Sequence, residues 1–168
     1  MYESIFDLAD MIKLQELLRI NNKSITTAES CTGGLIASMI TEISGSSDIF
    51  NGSIVSYSNE VKMKELNVKK ENLDNYGAVS IQVVEDMLKG SMEKFNADYA
   101  IATSGIAGPT GATKNKPVGT VVIGVASRNG LKNVEVYHFN GNRKEVQIQA
   151  AKYAFQKFSN FFQKTLDK

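Results

Sequence analysis

The chain has 168 residues, 42% hydrophobic and 22% charged, an ordinary globular composition that suits one domain over residues 1–168. With 19 Lys plus Arg against 18 Asp plus Glu, the formal net charge is +1, which gives no electrostatic reason to expect a nucleic-acid or membrane partner. A single cysteine (Cys31) and a single histidine (His138) exclude an internal disulfide framework and a zinc site of the usual Cys/His type, and no Asp-x-Asp pair suggests a carboxylate metal site.

The N-terminal stretch MYESIFDLADMIKLQELLRI carries acids among its apolar residues and shows no signal-peptide layout. No apolar run approaches the roughly 18 residues that span a bilayer, so the expected compartment is the cytoplasm. Ile5, Leu8, Ala9 and Ile12 keep helical spacing, Leu14, Leu17 and Leu18 widen that face, and Asn21-Asn22 ends the helix. A strand from Ser24 to Glu29 follows, and Thr32-Gly33-Gly34 opens a helix through Leu35, Ile36, Met39 and Ile40. Gly45-Ser46-Ser47 breaks it, and Phe50 to Ser56 reads as a strand. Asn59 caps a short helix through Leu66, and Ser80 caps a longer one carrying Val83, Val84, Met87, Leu88 and Met92.

Asp98 to Thr103 is a buried-looking strand running into the long loop SGIAGPTGATKNKP. Val118 to Ala126 and Val134 to Phe139 are strands joined by a turn at Asn129-Gly130. A final helix from Arg143 to Leu166 buries Ala151, Phe155, Phe158 and Phe162. Alternating helices and strands with one late hairpin predict a three-layer α/β/α sandwich with a mixed, mostly parallel sheet.

Three segments could carry chemistry. In Thr26-Thr27-Ala28-Glu29-Ser30-Cys31-Thr32-Gly33-Gly34, Ser30 stands where a strand gives way to a helix, the usual ligand edge of such a sheet. The glycines let a substrate approach the backbone, and free N–H groups from Cys31 to Gly33 suit an oxyanion. The same Ser30 or Thr32 equally suits a helix cap, and Cys31 is a rival nucleophile. A serine nucleophile needs a base, and His138 reads better as a packed or surface side chain. Lys62, in Tyr57-Ser58-Asn59-Glu60-Val61-Lys62, also lies beyond a strand end; it could serve as base if desolvated, or sit solvated on an exposed helix.

The third segment, Thr103-Ser104-Gly105-Ile106-Ala107-Gly108-Pro109 closed by Lys116-Pro117-Val118-Gly119-Thr120, puts glycines and hydroxyls at another strand end, suited to phosphate or ribose or to a plain connector. Ser46, Ser47 and Arg143 offer further phosphate contacts, and each also reads as surface punctuation.

Together, TTAESCTGG, GSS, YSNEVK, YGAVS, SGIAGP and KPVGTV resemble the C-terminal domain of the competence-damage-inducible CinA family, most of all its stand-alone nicotinamide-nucleotide amidases, from about Ser24 to Phe158. The resemblance implies a three-layer α/β/α fold and hydrolysis of nicotinamide mononucleotide to nicotinate mononucleotide and ammonia, with no metal or organic cofactor. It places the family's nucleophilic serine on Ser30, its lysine on Lys62 and its tyrosine on Tyr57. Thr103 and Ser104 match the hydroxyl residues before GIAGP, and Arg143 matches the arginine of a late Gly-Asp-Arg segment, which reads Gly141-Asn142-Arg143 here. The resemblance extends to the C-terminal domain alone, so the activities of the larger N-terminal domain of two-domain members are not expected of these residues. Expected substrate contacts are Thr32, Gly33, Gly34, Ser46, Ser47, Thr103, Ser104, Gly105 and Arg143; the expected partner is a small-molecule nucleotide, and terminal helices leave room for a homo-oligomer.

Overall fold

Asp7 begins the first helix by accepting a hydrogen bond from the Asp10 N–H, while the Asp10 carboxylate accepts from the Asp7 N–H, a reciprocal cap. The computed structural model describes residues 4–167; residues 1–3 and 168, the ends of the expected domain, lie outside the described residues. In chain order the elements are α1 (Leu8–Ile20), β1 (Ile25–Glu29), α2 (Leu35–Thr41), a 3-10 turn (Ser46–Asp48), β2 (Phe50–Val55), α3 (Asn59–Leu66), α4 (Lys70–Tyr76), α5 (Ile81–Phe95), β3 (Tyr99–Gly105), β4 (Thr120–Ser127), β5 (Lys132–His138) and α6 (Arg143–Leu166).

The five strands form one sheet in the order β2-β1-β3-β4-β5. β1 pairs in parallel with β2 and β3, while β4 runs antiparallel to both β3 and β5. Thus four strands point one way and β4 alone opposes them, as the pattern predicts. Helices α1, α2 and α6 cover one face, where Leu14, Ile36, Phe155, Phe158 and Phe162 pack on Ile101, Val121 and Ile123. Helices α3, α4 and α5 cover the other, where Leu66, Leu73, Val84 and Leu88 pack on Ala28, Ala100, Ala102 and Val122. The alternation of large and small residues along β3 follows from this: its alanines let α5 lie close, while Tyr99 and Ile101 fill the α6 side.

Three local expectations change. The buried stripe of α1 is Met11, Leu14, Gln15 and Leu18, whereas Leu8 and Ile12 are exposed and Ile5 precedes the helix. Both sides of α1 are apolar, so spacing alone does not choose the face; Gln15 is drawn inward because its side-chain amide donates to the Ile40 carbonyl at 2.9 Å. Ser58, not Asn59, caps α3, accepting from the Val61 N–H at 3.2 Å. Helix α4 is additional: KENLDNY buries only Leu73 and so carries no apolar period. No helix among the described residues is long and apolar enough to cross a membrane.

Candidate functional site

At the carboxyl ends of β1, β2 and β3 the sheet opens into a cleft of about 230 Å³, lined by Ser30, Cys31, Tyr57, Gly105–Gly108, Thr110, Gly111 and Arg143. A larger cleft of about 620 Å³ lies between α5 and the β4–β5 turn, but no residue of the six motifs lines it.

Ser30 follows the last residue of β1. The Ser30 N–H donates to the Thr103 carbonyl at 3.0 Å, which fixes the main chain at the end of the strand pairing. The pleat of β1 sends Ala28 to the α5 side of the sheet, and Ser30, two residues on, turns the same way, toward α3. There the Lys62 Nζ donates to the Ser30 Oγ at 3.1 Å and to the Ser56 carbonyl at 2.8 Å. Lys62 is only 2% exposed, and no carboxylate forms an ion pair with it among the described residues. Burial therefore lowers its pKa from 10.5, and the one opposing influence, charge on Cys31, is missing while that buried residue stays a neutral thiol. A desolvated amine without a counter-charge is biased toward its neutral, proton-accepting form.

Ser30 does not cap α2. The cap position is Gly34, which has no side chain to offer, and Gly33 and Gly34 adopt φ of +62° and +98°, a turn that side chains rarely tolerate. Instead the Ile36 and Ala37 N–H groups, at the start of α2, donate to the Glu29 carboxylate, each at 2.9 Å. Glu29 was not singled out by the sequence, because its partners lie seven and eight residues away in a helix whose docking the sequence does not reveal.

Of the expected oxyanion donors, the Gly33 N–H is already used, donating to the Ser30 carbonyl at 3.0 Å; the N–H groups of Cys31 and Thr32 make no backbone hydrogen bond among the described residues. Cys31 lines the cleft but is buried, and desolvation pushes its thiol up to about 12, which removes it as a rival nucleophile at neutral pH. His138 is exposed on β5, its Nδ1 3.3 Å from the Thr120 hydroxyl, and it does not line the cleft.

Several expected contacts move. The Tyr57 hydroxyl accepts from Arg143, whose other terminal nitrogen donates to the Gly108 carbonyl at 2.7 Å, and no hydrogen bond joins Tyr57 to Lys62 among the described residues. Thr103 is fully buried, with its hydroxyl 2.8 Å from that of Thr32, and Ser104 donates to the Ala78 carbonyl at 2.8 Å, so both hydroxyls face neighbouring elements and not the cleft. Thr32 is buried behind the turn, and Gly33 and Gly34 do not line the cleft, while Gly105 does. Ser46 and Ser47 precede β2, whose first residue pairs with Ile25 at the start of β1, so they lie at the opposite end of the sheet, beside Arg19 and Asp48. Asn142 replaces an acid of the family segment and caps α6, accepting from the Glu145 N–H at 2.9 Å, a role either residue type fills. Among the described residues no group of three or more His, Cys, Asp or Glu is placed to hold a metal ion.

Residues 9–162 match the family described as the CinA C-terminal domain. The chain belongs to the CinA family. It is 54% identical over 132 residues to a CinA-like protein of Syntrophomonas wolfei, covering 79% of this chain and 32% of that one. A CinA-like protein of Fervidobacterium nodosum is 44% identical over 156 residues, covering 91% and 38%. The chain thus spans about a third of the length of these curated CinA relatives. Among solved structures, a competence-damaged protein (CinA) superfamily protein from Klebsiella pneumoniae superposes with a TM-score of 0.86 at 32% identity, covering 89% of this chain and 93% of that one. One from Escherichia coli gives 0.83 at 32% identity, covering 95% and 96%.

Proposed function

We propose that this CinA-family chain is a serine amidohydrolase with Ser30 as nucleophile and Lys62 as general base, and that it removes the carboxamide nitrogen of nicotinamide mononucleotide. The observation that carries the reading is the 3.1 Å contact between Lys62 Nζ and Ser30 Oγ, made by a lysine with no carboxylate partner among the described residues.

Neutral Lys62 accepts the Ser30 proton as Oγ attacks the carboxamide carbon, and the N–H groups of Cys31 and Thr32, which make no backbone–backbone hydrogen bond among the described residues, are the donors we assign to the oxyanion. Collapse expels the nitrogen as ammonia, the proton coming from Lys62, and leaves an ester on Ser30. Water, deprotonated by the again-neutral Lys62, cleaves that ester and frees the carboxylate. Arg143, held at the cleft rim by Tyr57 and Gly108, suits the phosphate end of a nucleotide.

Ammonia release tests this reading. Parent protein is expected to liberate ammonia from nicotinamide mononucleotide and Ser30→Ala none, with an adduct of nicotinate mononucleotide mass less water trapped on the parent by acid quench. Strong turnover of free nicotinamide with none of its mononucleotide overturns the substrate. Nucleotide binding without ammonia from either protein overturns the enzyme.

A further inference from the structure

Glu29 is fully buried and is absent from the proposed reaction. Its carboxylate has no cationic partner among the described residues; it accepts from the Thr32 hydroxyl at 2.7 Å, the Ile36 and Ala37 N–H groups at 2.9 Å and, at 3.4 Å, the Thr27 hydroxyl. A buried charge tolerates such a place only when its lone pairs are satisfied, and here the start of a helix supplies them.

The hydroxyl chain has a direction. Carboxylate oxygen only accepts, so the single Thr32 proton goes to Glu29, and Thr103 must donate its own proton to Thr32 across 2.8 Å. The Thr103 carbonyl in turn holds the Ser30 N–H. On the other side, the Glu29 carbonyl accepts from the Ser56 N–H at 2.7 Å, and the Ser56 carbonyl accepts from Lys62 Nζ. One residue therefore touches both halves of the proposed pair: its side chain fastens the turn after Ser30, and its main chain fastens the residue that holds Lys62.

The geometry points to Glu29 as a positioning residue that sets Ser30 Oγ against Lys62 Nζ by fastening the turn and α2 through its carboxylate. The inference rests on the reading of Ser30 as nucleophile. It does not depend on which carboxamide is cleaved. Glutamine at this position keeps the shape but replaces one acceptor by a donor that meets one of the two α2 N–H groups, which bind different carboxylate oxygens, so the turn loosens while the sheet remains.

The test uses a fluorophosphonate, which needs an activated serine but no nucleotide contacts: Ser30 Oγ bonds to phosphorus, fluoride leaves, and the hydroxyl proton passes to Lys62. Parent, Glu29→Gln, Thr32→Val and Thr32→Ser proteins are compared by mass spectrometry of the Ser30 peptide, with circular dichroism giving the folded fraction of each. Labelling of Glu29→Gln is expected to slow by about 10- to 100-fold at full folding, the range that a misplacement near 1 Å produces. Thr32→Val is expected to slow less, and Thr32→Ser to recover parental labelling to within about threefold. With nicotinamide mononucleotide, kcat of Glu29→Gln falls by the same factor while KM stays within about threefold. Parental labelling of Glu29→Gln, or a loss that merely follows its unfolded fraction, overturns the inference. If the labelling pattern holds but no protein releases ammonia from the nucleotide, the inference stands and the substrate reading falls. If the parent is never labelled at Ser30, the nucleophile reading and the inference fall together.

Discussion

Lys62 and Ser30, 32 residues apart, meet with Nζ 3.1 Å from Oγ because β1 and β2 are parallel neighbours that end together, Glu29 beside Val55. Each chain end then turns toward the α3 face. The amine is closed off from water, and its other fixed partner is a neutral carbonyl, that of Ser56, so among the described residues no carboxylate pairs with it to stabilise the ammonium. Together these two facts make the arrangement chemically suggestive: a proton acceptor in contact with a hydroxyl, at the open edge of the sheet.

Burial lowers the Lys62 pKa, and the direction has two consequences. Activity is expected to rise with pH along an acid limb that lies below 10.5, and Lys62→Met is expected to lower kcat/KM by at least about 100-fold, general-base contributions being of that order. For stability the sign is fixed by proton counting: between the folded pKa and 10.5 the unfolded chain binds the extra proton, so the Lys62 contribution becomes more favourable as pH rises and levels off above 10.5. Chemical denaturation of parent and Lys62→Met across pH should show the parent gaining relative to the variant toward alkaline pH. A flat difference would contradict a lowered pKa.

Cys31 stands beside the proposed nucleophile with a thiol pushed up to about 12 by burial. At pH 8 it is therefore a thiol packed in the core. Cys31→Ala is expected to keep ammonia release within about fivefold of the parent and to lose about 1 kcal/mol of stability for the missing sulfur. Iodoacetamide is expected to leave native activity unchanged over the same interval. Inactivation by the reagent, with mass added at Cys31, would reinstate the thiol as a reactive group.

Most of this architecture was readable because its elements carry strong patterns. Helix α6 shows Ala151, Phe155, Phe158 and Phe162 at helical spacing, and the predicted limits, Arg143 to Leu166, are those observed. Strand ends marked by TTAES and YSNEVK place Ser30 and Lys62 on one edge, since parallel neighbours bring their carboxyl ends together. What stayed hidden depends on side-chain direction and on partners distant in sequence. Ser46 and Ser47 look like phosphate ligands until the register puts them at the amino edge of the sheet. Thr103 and Ser104 alternate to opposite faces of β3, so adjacent hydroxyls serve Thr32 on one side and Ala78 on the other. Glu29 reads as an ordinary strand residue until α2 docks on it.

Arg143 is tied to the Tyr57 hydroxyl and the Gly108 carbonyl at the mouth of the cleft, so it is pre-oriented without being neutralised by an acid among the described residues. If it meets the phosphate, Arg143→Ala should raise KM for nicotinamide mononucleotide by about 10- to 100-fold, the range of a lost charged hydrogen bond, with kcat within a few fold. The same variant should treat the phosphate-free riboside much as the parent does. Tyr57→Phe, which removes one of the two tethers, should fall between the two. Equal losses on nucleotide and riboside would move Arg143 from phosphate binding to a role in shaping the cleft.

Gly90 offers a way to disturb Lys62 from a distance. A Cβ placed there would stand 1.9 Å from the Leu66 carbonyl oxygen at the end of α3, so α3 and α5 can keep their separation only if position 90 has no side chain. Gly90→Ala must push the two helices apart, and overpacking of this kind destabilises by about 1–3 kcal/mol, outweighing the better helix propensity of alanine. Because α3 carries Lys62 and the Lys62 carbonyl anchors the turn after it through the Val68 N–H, the shift reaches the proposed base. The expected outcome is a lower thermal midpoint together with a kcat loss of at least about 10-fold at temperatures where the variant is fully folded, with KM little changed. A variant that melts early yet turns over at the parental rate when folded would show that the Ser30–Lys62 contact does not depend on the seat of α3.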